Sequence, residues 1–171
     1  THISEFAVRT VLPFIFSSLT FDKKFQEKVA ALNMLKEMTK TAPEQVTHAM
    51  EIIIPAVTEV IGDVKKQVKE ASTAALEAVM SVVGNKDIEP FIPSVVKSIA
   101  DPSTVPECVH KLAATTFVQE VKSPALSMMV PLLSRGLRNT SENATAIKRK
   151  SCVIVDNLSL IHISEPTRRI T

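Results

Sequence analysis

Four prolines recur inside apolar runs at a nearly constant step. They are Pro13 in VLPFIFSSLTFD, Pro55 in IIIPAVTEVIGD, Pro93 in FIPSVVKSIADP and Pro131 in MVPLLSRGL, separated by 42, 38 and 38 residues. Each is followed by further apolar residues and then by a polar turn. Proline inside a helix removes a backbone donor and bends the helix. One such residue is a local accident, whereas four in equivalent places belong to a repeated shape. A period near 40 with one helix pair per period is the pattern of a helical solenoid, whose pairs cannot bury their apolar faces alone and must stack.

The chain read in order agrees. With 3 glycines, no tryptophan or tyrosine, and few alternating β-branched runs, its 171 residues favour helix over sheet. A first helix is expected from Thr1 to Ser18, and a second from Asp22 to Lys40 with one apolar face of Phe25, Val29, Leu32, Leu35 and Met38. A third should run to about Ile61 through Pro55. A fourth, Val64 to Val83, should bury Val68, Ala71, Ala75, Leu76 and Val79. The fifth is expected from Asn85 to Ala100 with Pro93 inside it, the sixth from Val105 to Val121, the seventh from Ser123, and the eighth up to Leu158. Thr41-Ala-Pro43-Glu44 and Thr104-Val-Pro106-Glu107 read as capping boxes. The fold class is therefore all-α, an α-solenoid of about four helical hairpins of HEAT or ARM type over residues 1–158. The start has no cap or leader and points to a chain cut from something longer. From Ser159 to Thr171 the apolar period breaks, and SLIHISEPTRRIT reads as a non-native tail similar to a translated adapter.

Composition narrows the function. A net charge of +2 does not by itself mark a nucleic-acid protein, and no apolar run approaches the roughly 20 residues of a membrane span. Without a signal peptide, Cys108 and Cys152 read as reduced thiols of a cytoplasmic protein, and the Asn-x-Ser/Thr triplets at Asn139, Asn143 and Asn157 as chance matches. No G-x-x-x-x-G-K-[ST] loop exists to cradle a triphosphate. His2, His48, His110 and His162 share no metal-ligand spacing with a cysteine or carboxylate. Cys152, beside Val153, Ile154 and Val155, reads as a buried thiol and not as a nucleophile. Asp63 and Asp101 read as turn and cap residues. The expected chain has no catalytic residue, cofactor or metal of its own, and works as a binding surface.

The charges carry the candidate site. Lys23-Lys24 and Lys65-Lys66 stand 42 residues apart, the offset of Pro13 and Pro55, so they read as equivalent positions near the start of each second helix. Cations at a helix N-terminus oppose the macrodipole at about a few tenths of a kcal/mol each. Residues placed against local stability point to another use. Lys148-Arg149-Lys150 fan around their helix at about 100° per residue. Lys23, Lys24, Lys65, Lys66, Lys148 and Arg149 are the candidate contacts with a polyanion, interrupted in the third repeat by Ser103 and Thr104.

Specific words add a resemblance. IADPSTVPECVHKLAATTFVQEV, MVPLLSRGL, IKRKSCVIVDN and NKDIEPFIPSVV resemble the HEAT-repeat region of fungal-type translation elongation factor 3, in one register from about residue 20 to 158. The loop at Arg138 to Thr145 is longer than that pattern. The resemblance implies a ribosome-dependent ATPase of the ATP-binding-cassette type as the parent. Its N-terminal HEAT repeats dock on ribosomal RNA and ribosomal proteins. Its cassettes, further along the chain, bind ATP and power release of deacylated tRNA from the exit site. A monomer in the cytoplasm, with no DNA or membrane partner, is expected. The alternative is a protein-binding HEAT scaffold of the kind that activates the amino-acid-starvation kinase, without cassettes.

Overall fold

The computed structural model describes residues 5–119 and 121–163, with side chains described between 7 and 158. The described residues form nine helices and no strand: α1 (Glu5–Ser17), α2 (Phe25–Thr41), α3 (Pro43–His48), α4 (Met50–Val60), α5 (Lys66–Ser81), α6 (Ile92–Ala100), α7 (Val105–Ala113), α8 (Ser123–Leu137) and α9 (Ala144–Ile163). They pair in chain order. α1 packs on α2, α4 on α5, α6 on α7 and α8 on α9, four hairpins in a solenoid. α2 lies against α5, and α7 against α9. In the middle the order changes: α6 packs on α5, and α8 packs on α4 as well as on α6.

The reason to stack is visible in the burial. The expected stripe of α5 is real, since Val68, Ala75, Leu76 and Val79 are fully buried and Ala71 packs against them. On α2, Leu32, Leu35 and Met38 are buried with Phe25 and Val29 partly so. One continuous apolar cluster runs from Val8 to Leu158, which no single hairpin could enclose.

Several local expectations are overturned. The proline-containing third helix is two helices, α3 and α4, broken at Ala49 with φ −104° and ψ 5°. Thr41 is not a cap, because α2 continues through it and its hydroxyl donates to the Glu37 carbonyl, leaving Ala42 at the junction. Thr104 is not a capping-box residue either. It ends a short 3-10 turn in which Asp101 accepts from the Ser103 N–H, while Glu107 pairs with Lys111. Pro93 lies in the first turn of α6, where a missing donor costs nothing. Pro13, Pro55 and Pro131 are the interior prolines. Pro13 and Pro55 both line a groove of about 600 Å³ between α1 and α4. Its walls include Arg9 and Glu51, the residues four before each proline, whose carbonyls lose their helical donor.

The sixth helix stops at Ala113, eight residues short of Val121. The segment after it is held from outside. The Asp87 carboxylate accepts from the Val118 and Gln119 N–H groups at 2.7 and 2.6 Å, and the Gln119 side chain accepts from the Lys86 N–H at 2.7 Å. Phe117 and Val121 then turn into the core. Cys152 is exposed, not buried, because the buried side of α9 is Ile147, Ser151, Ile154 and Leu158. α9 also continues past Leu158 to Ile163. The remainder of the proposed tail, and the start at residues 1–4, lie outside the described residues.

Gly136 of α8 lies close against Ser151 of α9. A Cβ there would collide with the Ser151 hydroxyl, which is buried and donates to the Ile147 carbonyl. Gly136→Ala is therefore expected to destabilise by about 1–3 kcal/mol, as overpacking does. Adding Ser151→Gly should recover part of that loss. Chemical denaturation of the three variants checks it, and an unaffected single variant would show the helices to be more loosely apposed.

Candidate functional site

Four of the candidate lysines, Lys23, Lys24, Lys65 and Lys66, belong to one edge of the stack, where the two helices of each hairpin are joined. Three of these joints share one device at intervals of 38 residues. Asp63 accepts from the Lys65 N–H at 2.9 Å, Asp101 from Ser103 at 3.0 Å and Asn139 from Ser141 at 2.9 Å. A short side-chain acceptor bonding two residues on is an Asx turn, which closes the joint without a regular backbone turn. Asp63 and Asp101 are thus turn residues, as their sequence context suggests, and Asn139 is a third of the same kind.

Lys24 and Lys65 each occupy the residue just before their helix, α2 and α5, with extended backbone and no side-chain cap bond. They are the equivalent pair, which makes the offset 41 and not 42. Lys23 lies one residue earlier and Lys66 is the first residue of α5, where it sits 3.6 Å from Glu70. All four are exposed. The two lysine pairs are neighbours because α2 and α5 are, and the contact is fixed at this end. Lys28 Nζ of α2 donates to Asp63 Oδ2 at 2.8 Å, with side chains only 9% and 16% exposed. Asp63 is held below its ordinary pKa by that bond, and further by the Lys65 N–H.

Lys148 and Arg149 stand elsewhere. They are exposed and lie more than one turn inside α9, so they are not helix-start residues like Lys24 and Lys65. Lys150, half-buried, meets His110 Nδ1 of α7. The third joint carries no lysine and presents Asp101, Ser103 and Thr104.

Two features of this edge are absent from the sequence reading. Phe21 is 95% exposed beside Asp22 and the first lysine pair, and Val64 is 94% exposed beside the second. An aromatic ring in solvent among cations is a stacking surface for a base or an arginine. The second feature is a pair of arginines at the end of α8, Arg135 and Arg138, lining a cleft between the third and fourth joints. Their i, i+3 spacing was readable. Their closeness to the third joint was not.

With the edge described, its relatives can be set beside it. Residues 1–76 match the EF3 N-terminal HEAT repeat family, and residues 104–168 the Elongation factor 3/GNC1 HEAT repeat family. The chain belongs to the elongation factor 3 HEAT-repeat family. It is 45% identical over 158 residues to elongation factor 3 of Gonapodya prolifera, covering 92% of this chain and 14% of that protein. It is 49% identical over 148 residues to elongation factor 3 of Phytophthora infestans, covering 86% and 14%. Against elongation factor 3A of Saccharomyces cerevisiae it is 48% identical over 156 residues, covering 91% and 15%. The chain thus spans about one seventh of the length of these curated relatives. Among the described residues no helix is long and apolar enough to cross a membrane.

The Lys28–Asp63 pair gives this edge a pH dependence. A carboxylate whose folded-state pKa is depressed adds stability that is complete above its unfolded value and disappears as pH falls through the folded one. Stability should therefore drop below the ordinary aspartate value of 3.8. In Asp63→Asn the neutral-pH stability should be lower by about 2 kcal/mol, and the further acid loss smaller. Calorimetry across pH compares the two, and parallel curves would remove Asp63 from the account.

Proposed function

We propose that this chain is a ribosome-docking HEAT module of an elongation-factor-3-type protein, acting in the cytoplasm during translation elongation. The observation that carries the reading is 45–49% identity to proteins named elongation factor 3 along about nine tenths of the chain. In the whole protein the module holds the factor on ribosomal RNA and ribosomal proteins. Segments outside this chain bind ATP and drive release of deacylated tRNA from the exit site. The chain itself hydrolyses no ATP and binds as a monomer.

The joint edge is the docking face. Lys23, Lys24, Lys65 and Lys66 give four exposed cations on two adjacent joints; half-buried Asp63 among them is already paired with Lys28, while Asp22 stands beside Lys23 and Glu70 lies 3.6 Å from Lys66. Phosphate binding needs clustered cations and not a high total charge. Phe21 adds a stacking surface next to them. Lys148 and Arg149 of α9 offer a second contact further along the stack. A protein-binding scaffold without ATPase cassettes is the alternative, since the family matched by residues 104–168 carries a second name beside elongation factor 3.

Co-sedimentation with ribosomes tests the reading. Reversing Lys23, Lys24, Lys65 and Lys66 to Glu should weaken association at least about tenfold, and added salt should weaken the unmutated chain in the same direction. A folded variant that sediments with ribosomes as well as its parent would leave these lysines as ordinary solvated surface.

A further inference from the structure

The cleft of about 590 Å³ between the third and fourth joints brings two arginines together. Its walls carry Arg135 and Arg138 and no carboxylate, whereas the α1–α4 groove mixes Arg9 with Glu51 and Glu59. The remaining polar lining is uncharged: Ser103, Ser134, Asn139, Thr140 and Ser141. We propose that this cleft binds a backbone phosphate of RNA, and that Arg135 and Arg138 are the residues that hold it.

Arg135 is half-buried and makes no ion pair with any described carboxylate. Its Nη1 donates to the carbonyls of Ser98 and Ile99, in the last turn of α6. The negative end of that helix thereby holds the guanidinium in place. Two of its five donors are used, and three remain in one plane. Burial disfavours its charged form, and the partners it has are neutral carbonyls, so an anion in the cleft would be its first counter-charge among the described residues. Arg138, which follows the last residue of α8, is exposed and has no side-chain partner among the described residues. One anchored and one exposed guanidinium on a single cleft suit a tetrahedral anion with several acceptor oxygens.

The fourth joint adds neutral donors. Asn139 Oδ1 is occupied by both the N–H and the hydroxyl of Ser141. Its amide nitrogen is the end left to bond outward. No aromatic residue lines the cleft, so it has no surface on which a base could stack. Recognition here is of the backbone and is independent of base sequence. The cleft also supplies positive charge at the third joint, where the lysine ridge has none. It rests on the reading that this edge faces RNA, but on different residues from the lysines.

Fluorescence anisotropy of the 171-residue chain with a short single-stranded RNA separates the two. Arg138→Ala should weaken binding about fivefold and lower the slope of log affinity against log salt by about one. Its exposure keeps the fold intact, and Arg138→Lys should restore the slope. Arg135→Gln should weaken binding further, with circular dichroism confirming the fold. The lysine reversal should weaken binding while leaving the effect of Arg138→Ala unchanged. RNA affinity and slope untouched by Arg138→Ala would overturn the proposal, even if the lysine variant lost binding. Displacement of RNA by a polyglutamate peptide, or inorganic phosphate binding with no change in RNA affinity, would overturn it equally.

Discussion

Lys28 reaches from α2 to the joint that precedes α5, and the ion pair it makes with Asp63 sets how the first two hairpins sit on each other. Apolar burial alone drives stacking but is non-directional. α2 and α5 could slide along their shared face with little change in buried area. A charge pair that is largely out of water tolerates no such slide, because displacing either partner leaves an uncompensated charge. The contact also joins two levels of the repeat. Asp63 closes its own joint through the Lys65 N–H and holds the preceding hairpin through Lys28.

The same logic recurs with different chemistry down the stack. Arg135 of α8 bonds the terminal carbonyls of α6, so the fourth hairpin is tied to the third. At the opposite ends of the helices, Asp87 and Gln119 tie the loop after α5 to the loop after α7. Each link spans between 31 and 37 residues, close to one repeat. A solenoid has no single central core to fix its register. These polar bridges do so locally, and they place the exposed cations of successive joints along one edge.

Much of this was legible. The proline step and the apolar stripes of α2 and α5 gave helices, pairing and period, because they depend on neighbours three or four residues away. What failed was set at longer range. A capping box at Thr41 needs the previous helix to end first, and α2 does not. The sequence of residues 114–121 can be helical, but Asp87 captures its backbone donors from thirty residues upstream. Cys152 sits among apolar neighbours in sequence and yet on the outer face of α9. For the edge, Lys24 and Lys65 were found by period, with the register off by one. Arg135 and Arg138 were missed because only the packing of α8 against α6 brings them to the third joint.

The claim that a buried charge pair fixes the register of adjacent hairpins is tested most directly by a double-mutant cycle. Lys28→Met, Asp63→Asn and the double variant would be compared with the parent by denaturant unfolding. Each single change should be costly and the double change much less than their sum, with a coupling energy of about 2 kcal/mol. A coupling near zero, with the two losses simply adding, would mean that apolar packing alone positions α2 on α5.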